Sequence, residues 1–190
     1  MIDAIRKAVE ESVALKEAFF SASAPIIADL GKAICDALGQ GNKILLFGNG
    51  GSAADSQHIA AEFVGRFQRE RRALPAIALS TDTSILTCVG NDYGFEWIFA
   101  RQVQALGRSG DIAIAISTSG SSPNVLQAVR AAREMDLVTA GLTGKDGGKL
   151  GAMVDYHLHV DHRSTARVQE VHITIGHILC QLVDENLKGL

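Results

Sequence analysis

The chain has 190 residues, is 47% hydrophobic and carries 18 Lys and Arg against 21 Asp and Glu, a net charge of −3. That length and apolar content suit one domain with a sizeable core. The near balance of charge excludes the broad basic field that draws nucleic acid or anionic membranes, so any bound anion is held by local groups.

Apolar residues recur at helical spacing over 2–22 and 25–39, with a break predicted at Ser23-Ala24-Pro25, because Pro25 suits the first turn of a second helix. The first residues lack the apolar core and cleavage site of a signal peptide, and no apolar run reaches the roughly 18 residues of a membrane span. From residue 43 the pattern alternates. Strand-like runs fall at 44–47, 76–79, 112–116, 138–142 and 156–160, and helical runs near 53–69, 95–106, 123–135 and 165–187. Several strands are apolar on both faces, as when helices cover a parallel sheet on each side.

The expectation is a single α/β domain over 1–190, a doubly wound, flavodoxin-like five-stranded parallel sheet. N-terminal helices occupy 1–40, and the core with its C-terminal helix occupies 41–190. In such a domain the ligand site lies beyond the C-terminal ends of the strands. Polar loops end three of them, at 48–52, 80–82 and 117–124. The helices over 2–39 and 165–187 exceed what five strands need for cover, which points to a helical subunit interface. Cys35, Cys88 and Cys180 are odd in number, widely spaced and in apolar contexts. They read as buried free thiols in a reducing, cytoplasmic compartment. Arg66, Arg69, Arg71 and Arg72 fall at a predicted helix end, either solvated there or touching a substrate or subunit.

The chemistry gathers at two loops. Gly48-Asn49-Gly50-Gly51-Ser52 follows a strand and opens a helix, so tight turns can expose backbone N–H groups beside a positive helix end. It lacks the spacing of dinucleotide and ATP loops. Alone it is also compatible with a plain turn. Ser117-Thr118-Ser119-Gly120-Ser121-Ser122-Pro123-Asn124 again joins a strand to a helix, with Ser122 at the N-cap and Pro123 in the first turn. Capping accounts for one hydroxyl but not five, and neutral donors at a helix start suffice to hold phosphate.

His58 and Glu62 are four apart and share a helix face, as a surface ion pair, a core histidine with its partner, or a metal or acid–base pair. In the last helical run Gln169, His172 and His177 lie among aliphatic residues, and polar groups in such a setting need partners. His157 and His159 alternate on a predicted strand near Asp161 and His162, where strand-end solvation is preferred to a metal site. Trp97 reads as packing.

These motifs together resemble the sugar-isomerase (SIS) domain family over nearly the whole chain, and within it the phosphoheptose isomerases. The resemblance rests on the glycine loop, His58 with Glu62, Asn91-Asp92, the serine loop, and Gln169 with His177. It implies conversion of sedoheptulose 7-phosphate to D-glycero-D-manno-heptose 7-phosphate for nucleotide-activated heptose and surface polysaccharide, by a homotetramer with active sites between subunits. It implies one zinc ion per subunit on His58, Glu62, Gln169 and His177. Substrate contacts are implied from Asn49, Gly50, Gly51, Glu62, Asn91, Asp92, Ser117, Thr118, Ser119, Ser122 and Gln169, and Ser52 is added from the loop itself. Glu62 is then the expected base and His177 its acid–base partner.

Gln169 and His177 are about 12 Å apart along a straight helix and about 80° around it. Their convergence therefore requires long side chains, a bend or different chains. His172 stays open as a spare ligand. The competing reading is a non-catalytic SIS adaptor such as the family member that binds the replication initiator DnaA. An adaptor does not need the His58, Glu62, Gln169 and His177 set.

Overall fold

A computed structural model describes residues 1–187 and contains one five-stranded sheet and six α-helices. The strands are β1 (Ile44–Gly48), β2 (Ala76–Ala78), β3 (Ile112–Ser117), β4 (Val138–Thr143) and β5 (Tyr156–His159). Their spatial order is β2-β1-β3-β4-β5 and every pairing is parallel. The chain leaves β1 toward one edge and returns at β3 on its other side, so a crevice opens between the ends of those two strands. Register pairs Gly48 with Ile116, which sets the glycine loop beside the serine loop.

Successive strand residues face opposite sides, and both sides are covered. Ile44, Leu46, Ile112, Ile114 and Ile116 join a core with α1 (Ile2–Gly39), α2 (Gly51–Val64) and α6 (Thr165–Asn186). Leu45, Phe47, Ala113 and Ala115 face α3 (Thr83–Asp92), α4 (Ala100–Leu106) and α5 (Pro123–Glu134). β1 and β3 are buried at every position, which explains their unbroken apolar runs.

Four expectations need correction. The predicted break at Ser23-Ala24-Pro25 does not occur: α1 is one helix of 38 residues with Pro25 inside it. Pro25 removes one backbone donor, but Ser21, whose carbonyl loses it, is solvent-exposed, as is Pro25 itself. Meanwhile Ile27, Leu30, Ile34 and Leu38 anchor the second half of the helix in the core. By length and hydropathy α1 could cross a membrane, yet that half belongs to the core against α6.

Helix α3 lies where only a polar strand end was read. It is short and buries just Val89, with most of its residues exposed. Its start is marked by the N-cap Asp82, whose carboxylate accepts the Ile85 N–H at 2.9 Å. The helix expected over 95–106 is a 3-10 turn, Phe95–Trp97, followed by α4. Of the three cysteines only Cys180 is buried; Cys35 is intermediate and Cys88 exposed. Trp97 packs against the second core, as expected.

Candidate active site

The glycine loop is forced by its neighbours. A Cβ on Gly48 would stand 2.7 Å from the Ile116 carbonyl oxygen, and Gly50 turns the chain at φ +57° to start α2. Ser52 is buried beneath the loop, directly under Gly48. The Asn49 and Asn124 side chains exchange amide hydrogen bonds at 2.9 and 2.8 Å, stapling the first loop to the start of α5.

In the serine loop the hydroxyls converge. Ser117 Oγ lies 3.4 Å from Ser119 Oγ and 3.1 Å from Ser122 Oγ. Ser122 is the N-cap residue of α5, as expected, but its side chain caps no helix N–H. These hydroxyls are therefore directed at one another around a common point beside a helix N-terminus, a geometry suited to an anion with several oxygens.

The second cluster lies along α2 and α6, which run side by side in the same direction. Contacts rise in step: Gly51 against Gln169, Ile59 against Gly176, His58 against His177. Gly176 permits this approach, since a Cβ there would meet Ile59 Cδ1 at 2.5 Å. His58 Nε2 is 2.8 Å from His177 Nε2 and 3.5 Å from Glu62 Oε1. Among the described residues, His58, Glu62 and His177 form the one group whose ligand atoms all lie within 4.8 Å of one another. Two imidazole nitrogens and a carboxylate oxygen turned to one point suit a divalent ion with borderline ligand preference.

Gln169 takes a different place. Its amide rests on Gly51, seven residues and about 10 Å of helix before His58, and no hydrogen bond connects it to the cluster. Asn91 and Asp92 sit exposed at the end of α3, bonded to each other at 2.8 Å and to neither loop. Thus the expected residues fall into four places within one chain: the two loops with Gln169, the His–Glu–His cluster, and the end of α3.

His172 is excluded from the cluster. It is fully buried, and its Nε2–H donates to the Thr143 carbonyl oxygen at 3.1 Å. Burial pushes its pKa down to about 4, which the bond to Thr143 only partly offsets. His157 and His159 stack with ring centroids 5.5 Å apart and bond to Thr143 Oγ1 and the Lys145 carbonyl, so they hold the turn after β4.

The arginine cluster also divides. Arg66 pairs with Glu70 on the surface, while Arg71 is buried against Asp184 at 2.7 Å, contrary to the solvated helix end expected for it. Phe67, in the same loop, stacks on the His177 ring at 5.7 Å and 23°. Nothing in the local sequence pattern marked it.

Comparison with known proteins agrees with this fold. The SIS domain family matches residues 9–144. The phosphoheptose isomerase of Nitratidesulfovibrio vulgaris strain Hildenborough is 56% identical over 177 residues, covering 93% of this chain and 85% of that protein. That of Aquifex aeolicus is 55% identical over 185 residues, covering 97% of each. Among solved structures, phosphoheptose isomerase GmhA from Neisseria gonorrhoeae superposes with a TM-score of 0.91 at 44% identity, covering 96% of this chain and 98% of its own. A phosphoheptose isomerase from Francisella tularensis gives 0.94 at 41%, covering 97% and 98%.

Proposed function

The chain belongs to the SIS domain family and, within it, to the phosphoheptose isomerases, and we propose that it interconverts sedoheptulose 7-phosphate and D-glycero-D-manno-heptose 7-phosphate. The observation that carries this reading is the pairing of a converged hydroxyl loop with a His–Glu–His cluster on the same domain. An adaptor does not need the His–Glu–His cluster. The product would feed nucleotide-activated heptose for surface polysaccharide, and the enzyme would work in the cytoplasm.

The serine loop takes the phosphate: Ser117, Thr118, Ser119 and Ser122 donate hydroxyls, and the start of α5 adds its positive end. Asn49, Gly50 and Gly51 close the cradle from the β1 side, with Ser52 supporting them from below. Asn91, Asp92 and Gln169 bind the sugar hydroxyls.

Isomerisation requires a proton to leave C1 of the ketose and one to arrive at C2, through an enediolate. Glu62 removes the C1 proton and returns it to C2. His177 moves the hydroxyl proton between O1 and O2. His58, Glu62 and His177 would hold zinc, whose Lewis acidity polarises the carbonyl and stabilises the developing oxyanion when it is bound. Glu62 can serve both roles by giving the ion one oxygen and the substrate the other.

Gln169 would complete the ligand set from a neighbouring copy, in a homotetramer whose sites are shared between subunits. The separation of Gln169 from the cluster along one chain supports it. So does the exposed apolar stripe of Ile2, Ile5, Val9 and Val13 on α1, which a helical interface would cover.

Incubation of the purified protein with sedoheptulose 7-phosphate, followed by NMR of the sugar, tests the reaction. The aldose should appear, and a chelator should stop its formation until zinc is restored. No aldose from zinc-loaded protein would remove the proposed activity.

A further inference from the structure

We propose that Phe67 is a positioning residue that fixes the His177 imidazole, and that Asp184 holds Phe67 in place. This rests on the reading of His177 as a site residue. The ring of His177 is bounded on two sides: Phe67 stacks on its face at 5.7 Å, and His58 meets it edge-on at 5.1 Å and 64°. With both in place its Nε2 faces His58. Without Phe67 a half-buried histidine on a helix surface regains the staggered rotamers that the stack denies it.

The loop bearing Phe67 is not free to drift. Asp184 accepts the backbone N–H groups of Gln68 at 2.9 Å and Arg69 at 3.2 Å, the two residues that directly follow Phe67. Arg71 Nε donates to the same carboxylate at 2.7 Å, and its outer nitrogens donate to the Phe63 carbonyl at 2.8 Å and the Glu62 carbonyl at 2.9 Å. The Arg71 and Asp184 side chains are 1% and 2% exposed, so solvent does not compete for these bonds. Asp184 also lies seven residues beyond His177, two turns along the same face of α6. One carboxylate therefore ties the loop to the helix that carries the imidazole, and one guanidinium ties it to the end of the helix that carries Glu62.

The test compares Phe67→Leu with Phe67→Tyr, the first keeping apolar bulk and the second keeping the stack. In Phe67→Leu we expect kcat and the affinity of the apo protein for zinc alone each to fall about tenfold, as loss of an orienting partner does at metal sites. KM should hold, because the phosphate cradle is elsewhere. Phe67→Tyr should restore both quantities.

NMR of the His177 ring protons gives a readout independent of turnover. The ring-current shift imposed by Phe67 should vanish in the Leu variant and return in the Tyr variant. Asp184→Asn should reduce it in part. Unchanged His177 shifts with wild-type zinc affinity in a folded Phe67→Leu protein would overturn the inference. A wild-type protein that shows the shift but no turnover would instead count against the proposed reaction alone.

Discussion

Glu62 and His177 sit on neighbouring helices, so their separation depends on side chains that can each be changed singly. Glu62→Gln keeps size and hydrogen bonding but cannot accept a proton. Its kcat should fall by about a thousandfold, the scale of lost general-base catalysis. Substrate binding, measured by calorimetry, should stay within a few-fold of wild type.

His172 makes a different prediction. Its folded pKa, about 4, lies below the ordinary histidine value of about 6.5. Between those values the unfolded chain takes a proton that the folded chain refuses. Stability should be full above about pH 6.5 and decline by on the order of 3 kcal/mol as pH falls toward 4. Urea unfolding at neutral and mildly acidic pH should show that slope, and His172→Gln should flatten it.

At this scale the sequence was unequally informative. His58, Glu62 and the serines announced themselves through spacing and density of polar groups. His172 and His177 looked alike in sequence, because helical spacing says nothing about which side meets a strand end. Phe67 was silent: an aromatic in a charged loop acquires its role only when α6 comes to lie beneath it.

The seam between α2 and α6 is the element that builds the cluster. Gly176 sets its width, since any β-carbon there collides with Ile59. Gly176→Val should force the helices apart, cost about 1–3 kcal/mol of stability by overpacking, and weaken zinc binding measured on the purified apo protein. Gly176→Ala should do the same to a smaller degree.

The strands were legible because burial on both faces leaves an unbroken apolar run, and all five were found to within a residue or two. Helix α3 was missed for the opposite reason: it turns nearly all of its residues outward. The break expected at Pro25 failed because a lost hydrogen bond on an exposed face matters less than the packing of Ile27, Leu30 and Ile34 behind it.

For the whole molecule the outstanding quantity is the number of chains per site. Glu62→Gln and Gln169→Ala proteins should each be inactive alone. Mixed after unfolding and refolded together, they should recover a measurable fraction of wild-type turnover, since some sites then draw both intact residues from different copies. No recovery from a mixture that refolds to the wild-type mass would place both residues in one chain's site. The sequence hinted at such sharing through the eight-residue gap between Gln169 and His177. It could not show that Gln169 lands on Gly51, because that contact depends on the packing of two distant helices.

Helices α2 and α5 both start from the loops that follow β1 and β3, which sets two like electrical poles side by side at the rim where those strands end. Neighbouring positive poles repel, and an anion held between them offsets that repulsion. A doubly charged phosphoryl group in the serine loop would meet both poles at once, with the carboxylate and imidazoles farther along α2 left for the sugar. Capture of the phosphate and neutralisation of the two poles are in that sense a single electrostatic event.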